Sequence, residues 1–530
     1  MLETWFDRRL QCRFMKFGNL NVVLKYGQLS PKGMRFMFRL ITRYLLFFLT
    51  QSAALYLSAA ESGQPNLVLI LADDLGIGDV GVYGSEIVDT PNIDALAMSG
   101  VRFAQAYVSH PVCSPSRAGL ITGRYQQRHG WEFNPARRDL HQGMDMSQQT
   151  LADVLKQQGY TTGLVGKWHL GQVGSFHPLS RGFDEYYGVL GGGSQYMEKP
   201  GEEVVYALNG EPGPRTDYNA IYRGREKISE KEYLTDAFTR EALSFIDRHA
   251  DSPFFLYLSH IAPHTPLQTT TGYLDRYGHV QDMPTKIYAA MVSALDDSVG
   301  AVVEKLREVD QLENTLIAFM SDNGCAGYIG NACSNLGFAG FKRFHQEGGI
   351  RVPFILSWPG RLRAGQHFTD PVISLDLFST FTAAAGEMVA TDDSVNLLPY
   401  LADDELGRPH DYLYWRSGPT QVIRGLRWKM IRYKKSEFDE GDLDATGRLP
   451  PPDGGWDGST PNGELVLLYD LLSDPHERIN RVDTEAEIVS DLRSRLDEWL
   501  LELPSVDQAR LPAVRSTLTE VDGQAVQLIF

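Results

Sequence analysis

The chain has 530 residues, 43% of them hydrophobic, which is enough apolar mass for a large core and more than one domain. Its formal net charge of −17 argues against nucleic acid as a partner. An anionic ligand would therefore need a local cationic pocket, and four cysteines are too few for a disulfide framework.

Residues 1–60 do not read as part of the fold. Arg35, Arg39 and Arg43 precede an apolar run from Tyr44 to Leu57, and Ser58-Ala59-Ala60 follows. This is the three-part pattern of a secretory signal peptide. The run is short for a membrane span, so no stable membrane insertion is expected; a retained anchor is the alternative. A signal belongs at the start of a chain, which places translation initiation at Met34 or Met37 and an exported, periplasmic or secreted protein from about Glu61.

Asn66 to Ala72 is a continuous apolar run, as expected of a central parallel strand. It ends in Asp73-Asp74-Leu75-Gly76. Two adjacent carboxylates past a buried strand repel each other, and a divalent cation would compensate them; a solvated turn is the other reading. Thr90 reads as N-cap and Pro91 as first residue of a helix that Gly100 closes. Cys113-Ser114-Pro115-Ser116-Arg117 then enters a second helix. The dipole and free N–H groups at a helix entrance favour a thiolate, and Arg117, one turn on, can reach back to it. From these residues alone, a buried structural cysteine is the stronger reading. The loop Trp131 to Pro135 reads as a surface turn, with pocket-shaping as the alternative.

Gln149 to Gln158 is amphipathic, and Thr161 to Gly166 is a strand ending in Lys167-Trp168-His169-Leu170-Gly171. In an extended segment residues i and i+2 point the same way, so Lys167 and His169 would face one pocket. Gly191 to Lys231 reads as a long insertion loop. A helix over Thr235–His249 and a buried strand over Phe254–Leu258 follow. That strand leads to Ser259-His260-Ile261-Ala262-Pro263-His264, with His260 read as structural. Lys286–Val309 is a long helix, and Thr315–Met320 is a strand ending in Ser321-Asp322-Asn323-Gly324. Asp322 and Asn323 offer hard oxygen ligands or an Asx turn. Cys325 and Cys333 could close a short loop or remain thiols. Past residue 395 come short aromatic strands near Tyr412–Trp415 and Val422–Tyr433. A Gly/Pro-rich loop follows, then a helix opened by a Thr484/Glu487 capping box with Ile488, Leu492, Leu496 and Leu503 on its apolar face.

Four chemically loaded segments thus sit just after apolar strands: Asp73-Asp74, Lys167/His169, His264 and Asp322-Asn323. In an open α/β sheet, ligands bind outside the carboxyl ends of the strands, so one pocket would gather all four. The expected fold class is α/β, a large mixed, mostly parallel sheet flanked by helices. A smaller C-terminal α+β domain of antiparallel sheet and helix is expected beside it, with residues 61–395 as the first domain and 396–530 as the second.

The motifs carry a family resemblance. C-x-P-x-R at Cys113 followed by A-x-L-x-T-G-R resembles the core motif of type I, formylglycine-dependent sulfatases of the alkaline phosphatase superfamily. So do N-x-x-x-I-x-A-D-D-x-G at Asn66, G-K-W-H-x-G at Gly166 and P-H-x-P at Pro263. Gly340-Phe341-Lys342 with E-G-G-x-R-x-P at Glu347, and Leu468-Tyr469-Asp470 with Asp474-Pro475, complete the set. The resemblance covers roughly residues 62 to 500. It implies that a maturation enzyme oxidises Cys113 to formylglycine. It also implies that Asp73, Asp74, Asp322, Asn323 and the modified Cys113 hold Ca²⁺, and that Lys167, His264 and Lys342 bind the sulfate. By the same resemblance His264 or Lys342 protonates the leaving alcohol, His169 takes the proton of the second hydroxyl, and Arg117 positions the hydrate. The substrate implied is a sulfated carbohydrate. A small aryl sulfate, or a phosphomonoester or phosphonate, is the alternative, and a non-catalytic sulfoglycan binder would follow if Cys113 stays a thiol.

Overall fold

Five apolar segments of the chain lie side by side because each buries both faces and so must be covered by helices on both sides. The computed structural model of the protein describes residues 12–17, 20–25, 63–135, 141–198, 204–208, 213–402, 407–418, 420–434, 464–505, 516–521 and 524–529. The chain falls into two compact units, 1–63 and 64–530. In the first, Cys12–Phe17 and Leu20–Lys25 pair antiparallel, and the apolar run from Tyr44 to Leu57 lies outside the described residues.

In the second unit a ten-stranded sheet runs in the order 226–228, 221–223, 185–189, 161–167, 254–263, 66–73, 315–321, 354–357, 101–103, 366–368. The five strands from Glu185–Val189 to Thr315–Ser321 are parallel to one another, and the next strand on either side is antiparallel. Every residue of the central strands Asn66–Asp73, Phe254–Pro263 and Thr315–Ser321 is buried. The register aligns their ends. Ser259 pairs with Leu71 and with Gly166, and Ser321 pairs with Ala72. Asp73, Lys167, His264 and Asp322 therefore emerge at one edge of the sheet.

The helices form close to where the sequence places them, though their caps differ. The helix Pro91–Met98 starts with Pro91, but the Thr90 hydroxyl accepts the N–H of Gly81 and donates to Asp94 instead of capping. Asp296, on the long helix Met283–Glu308, accepts the N–H groups of Asn92 and Ile93 in its place. The Thr484/Glu487 capping box does not form. The helix spans Ala486–Leu501, and Thr484 donates its hydroxyl to the Arg481 carbonyl in a preceding turn. Leu492, Leu496 and Trp499 form its buried face.

The described residues of 191–231 contain strands where an insertion loop is expected. Val204–Ala207 pairs with Leu267–Thr270, while Ile221–Arg223 and Glu226–Ile228 form a hairpin that extends the main sheet. Three-residue strands are too short to show a period of two. Their signal was the turn at Gly224, which has a φ of 58°. Beyond residue 395, four antiparallel strands (Leu413–Ser417, Thr420–Arg424, Trp428–Lys434, Glu464–Asp470) make a separate small sheet.

Candidate active site

Cys113 opens the helix Cys113–Thr122 and is 1% exposed. Its Sγ lies 3.5 Å from Asp73 Oδ1 and 3.9 Å from Asp74 Oδ1. One ligand atom each from Asp73, Asp74, Cys113 and His264 lies within 4.8 Å of the other three. Asp74 sits just past its strand with φ at 66°, a conformation that aspartate tolerates better than most residues. That turn aims the Asp74 N–H at Asp322 Oδ1, 3.2 Å away, and so joins two strand ends.

Three buried cations offset three buried carboxylates. Lys167 Nζ is 2.5 Å from Asp73 Oδ2, and Lys342 Nζ is 2.6 Å and 2.7 Å from the two oxygens of Asp74. Arg117 donates to Asp322 at 2.8 Å, to the Ser259 hydroxyl at 2.5 Å and to the Lys167 carbonyl at 3.2 Å. Arg117 thus braces three strand ends and stays within electrostatic reach of Cys113. Burial pushes the Cys113 thiol up to about 12 despite Lys167 and Lys342 nearby, and Asp73 and Asp322 add to the rise. A thiolate activated by its helix entrance is therefore not what the site provides. As an unmodified side chain Cys113 is a poor nucleophile.

Burial, reinforced by Asp73, raises Asp322 above the ordinary carboxylate value. Asp74 is driven well below it, because Lys342 and His264 outweigh its burial. Asn323 donates Nδ2–H to Asp74 Oδ1 at 2.8 Å, whereas its Oδ1 is buried without a hydrogen-bond partner. An orphaned amide oxygen beside three carboxylates is costly unless something electropositive meets it. Hard oxygen donors of this kind fit a calcium ion.

Lys167 and His169 differ from the extended-strand expectation. The strand ends at Lys167, and His169 has a φ of 62°, so the two side chains part. Lys167 goes below, to Asp73, while His169 lines the cleft. Burial and the charge of Lys167 hold His169 far below its ordinary value, that is, neutral. His264 donates Nδ1–H to the Thr265 carbonyl at 2.6 Å, which points Nε2 toward Asp74 Oδ2, 3.7 Å away. Burial and Lys342 lower it to about 3. His260 bonds Ser298 at 3.0 Å in the core, as expected of a structural histidine.

The cleft has a volume of about 710 Å³, and Cys113, His169, His264, Lys342 and Arg343 are among its lining residues. Asn134 and Pro135 also line it, so the loop read as a surface turn shapes the pocket. Asn134 Oδ1 accepts the N–H of Ser114 at 2.9 Å, and the Trp131 indole donates to the Ser114 hydroxyl at 2.8 Å. Sequence reasoning also missed Tyr328, whose hydroxyl is 3.2 Å from Asp74 Oδ2, and Ser259, the anchor of Arg117. Ser259 carried a signal, since it ends a loaded strand; Tyr328 carried none. Cys325 and Cys333, on either side of Tyr328, are joined in a disulfide.

Residues 65–387 match the family model described as Sulfatase. The chain is 33% identical over 468 residues to N-acetylgalactosamine-6-sulfatase of Mus musculus, covering 81% of this chain and 84% of that protein. It is 30% identical over 502 residues to Arylsulfatase D of Homo sapiens, covering 79% and 83%. Among solved structures it is similar to Ps i-CgsB in complex with k-i-k-neocarrahexaose. The TM-score is 0.71 and the identity 33%, over 84% of this chain and 94% of that one.

Proposed function

The chain belongs to the sulfatase family, hydrolases of sulfate esters with an alkaline-phosphatase-like fold, and from that premise we propose that it removes sulfate from a sulfated carbohydrate. The observation that carries this reading is Cys113, buried against Asp73 and Asp74, lining a cleft with His169, His264 and Lys342. A sugar substrate is supported by the relatives named N-acetylgalactosamine-6-sulfatase and by the neocarrahexaose bound to the similar structure.

Asp73, Asp74, Asp322, Asn323 and the modified Cys113 are the residues that would hold Ca²⁺, which when bound supplies a Lewis acid for a sulfate oxygen. Formylglycine, made from Cys113 by a maturation enzyme, supplies as its hydrate the hydroxyl that attacks sulfur. Lys342 and His264 face the cleft, where Lys342 offsets the sulfate charge and neutral His264 contributes a polar contact, with Lys167 adding its charge from below. Of the two candidates for protonating the leaving alcohol, Lys342 Nζ holds a proton to deliver, whereas neutral His264 keeps its one proton on Nδ1. His169 is held neutral, the form that accepts a proton, and so serves as base for the second hydroxyl. Arg117 fixes Asp322 and the strand ends, and so orients the site. We read residues 61–395 as the catalytic domain, 396–530 as a supporting one, and 1–60 as an export signal. Among the described residues no helix is long and apolar enough to cross a membrane.

The test is sulfate release from a panel of sulfated galactose and galactosamine oligosaccharides, with an aryl sulfate and an aryl phosphate alongside. The expected result is the highest kcat/KM on a sugar sulfate. Equal or faster turnover of the phosphate ester would overturn the reading.

A further inference from the structure

Ser114 stands between Cys113 and His169. It follows Cys113 on the helix Cys113–Thr122 and is fully buried. Its N–H donates to Asn134 Oδ1 at 2.9 Å. Its hydroxyl has two partners, the Trp131 indole at 2.8 Å and the His169 carbonyl at 2.6 Å. An indole N–H only donates and a carbonyl only accepts, so the directions are fixed. Trp131 donates to Ser114 Oγ, and the single hydroxyl proton of Ser114 goes to His169.

His169 needs such support. Its φ of 62° lies in the left-handed region, uncommon for residues other than glycine, and a conformation of this kind persists where the surrounding structure enforces it. Both backbone polar groups of His169 are tied. The N–H donates to the Leu190 carbonyl at 3.1 Å, and the carbonyl accepts from Ser114. The ring has no such tie at its inner nitrogen. A functional imidazole is ordinarily oriented by a hydrogen bond at its second nitrogen, yet His169 Nδ1 is buried without one. The ring lies instead against Gly192, where a Cβ would come within 2.7 Å of Nε2 and 2.9 Å of Cε1. Gly192 thus gives the ring its space, and the backbone gives it its direction.

We propose that Ser114 is a positioning residue for the step that releases sulfate: its hydroxyl fixes the turn at His169 and so the reach of the imidazole to the group made from Cys113. In that step the imidazole takes the proton of the second hydroxyl. The O–H electron pair becomes the second carbon–oxygen bond of the aldehyde, and the carbon–oxygen bond to sulfate breaks with its electrons leaving on sulfate. Attack on sulfur, the earlier step, does not draw on His169. Loss of the Ser114 hydroxyl should therefore slow release and spare attack. This rests on the reading of His169 as the base for the second hydroxyl.

Ser114→Ala and Ser114→Thr are compared with the wild type and with His169→Ala, the last with and without Ser114→Ala. Rates are divided by the fraction of Cys113 present as aldehyde, because Ser114 adjoins the residue that is modified. With para-nitrophenyl sulfate as probe, the burst of nitrophenol reports attack, steady-state sulfate reports release, and intact mass reports the sulfated enzyme. Ser114→Ala should slow release about ten- to a hundredfold, as expected of an outer partner of a site group. The burst rate should be kept, and sulfated enzyme should accumulate. Ser114→Thr, which keeps the hydroxyl, should recover most of the loss. In the His169→Ala background Ser114→Ala should slow release no further. Attack and release falling together, or an equal loss in both backgrounds, would overturn the proposal. A crystal structure of Ser114→Ala tests it independently of activity: His169 should leave its left-handed turn, and an unmoved His169 overturns the proposal whatever the kinetics. If His169→Ala itself accumulates no sulfated enzyme, the reading of His169 as base fails on that variant alone, while the crystal structure still decides whether Ser114 sets the turn.

Discussion

Asn323 Oδ1 is the atom that ties the site's electrostatics to its chemistry, because it is a buried acceptor without a hydrogen-bond partner. A Ca²⁺ ion there would meet that oxygen and relieve the repulsion among Asp73, Asp74 and Asp322. Chelation with EDTA should therefore lower both activity and melting temperature, and added Ca²⁺ should restore them. Asp322→Ala should lose well over a hundredfold in kcat, more than the roughly ten- to a hundredfold typical of outer-shell partners. Full activity after exhaustive chelation would contradict the metal assignment. Cys113 makes the second prediction at this scale. A hydrated aldehyde has two hydroxyls on one carbon, one to attack sulfur and one to expel sulfate. Serine has one. Cys113→Ser should attack at best once and remain as a sulfate ester, visible by intact mass. Turnover at the wild-type rate would remove the two-hydroxyl argument. Lys342 was placed by the family resemblance alone, whereas Asp73, Asp74, Lys167, His169, His264 and Asp322 were legible in the sequence because each followed an apolar strand. Tyr328 was not, because it reaches Asp74 from an irregular segment with no periodicity to place it.

Among the elements, strands were the most legible and caps the least. A buried parallel strand is an uninterrupted apolar run, so Asn66–Asp73 and Thr315–Ser321 announce themselves. A cap is a single hydrogen bond, and a tertiary donor or acceptor can replace it, as Asp296 does for the helix at Pro91. Asp376 is a second buried carboxylate that joins separate segments. It opens the helix Asp376–Ala384, accepts the N–H groups of Ile373 and Val395, and pairs with His410 at 2.9 Å. Burial opposes charge on His410, but Asp376 outweighs it and raises the imidazole above its ordinary 6.5. The folded state thus holds this proton more tightly than the unfolded chain does. The stabilisation is full below pH 6.5 and is lost as pH rises through the raised folded value. Denaturation midpoints should fall across that window in the wild type, and His410→Gln should flatten the fall. An unchanged slope would show that another group titrates there.

Across the whole molecule, the small C-terminal sheet is locked by buried charge to the helix Glu347–Ile350. Lys429, on the strand Trp428–Lys434, is 3.0 Å from Glu347 and 2.9 Å from Glu477, and all three are buried. Glu347 also accepts the Tyr107 hydroxyl at 2.7 Å, so the E-G-G-x-R-x-P motif joins the small sheet to the strand Ala106–Tyr107. Burial and the charge of Glu347 push Glu477 toward its neutral form even with Lys429 beside it. Lys429→Met should cost about 3–5 kcal/mol at neutral pH, because two buried carboxylates lose their shared cation. The cost should shrink at pH 5, where one carboxylate takes up a proton; equal cost at both values would contradict the coupling. The convergence of Asp73, Lys167, His264 and Asp322 at one sheet edge was legible from strand ends alone. The lock was not, because its members lie far apart in sequence and sit on no common period. The central claim is that Cys113, once converted to an aldehyde, performs the hydrolysis. Its most direct test is sulfate release from a sulfated oligosaccharide, measured against the fraction of Cys113 found as aldehyde by peptide mass spectrometry. The account predicts rates proportional to that fraction and vanishing with it; undiminished release by protein whose Cys113 remains a thiol would contradict it.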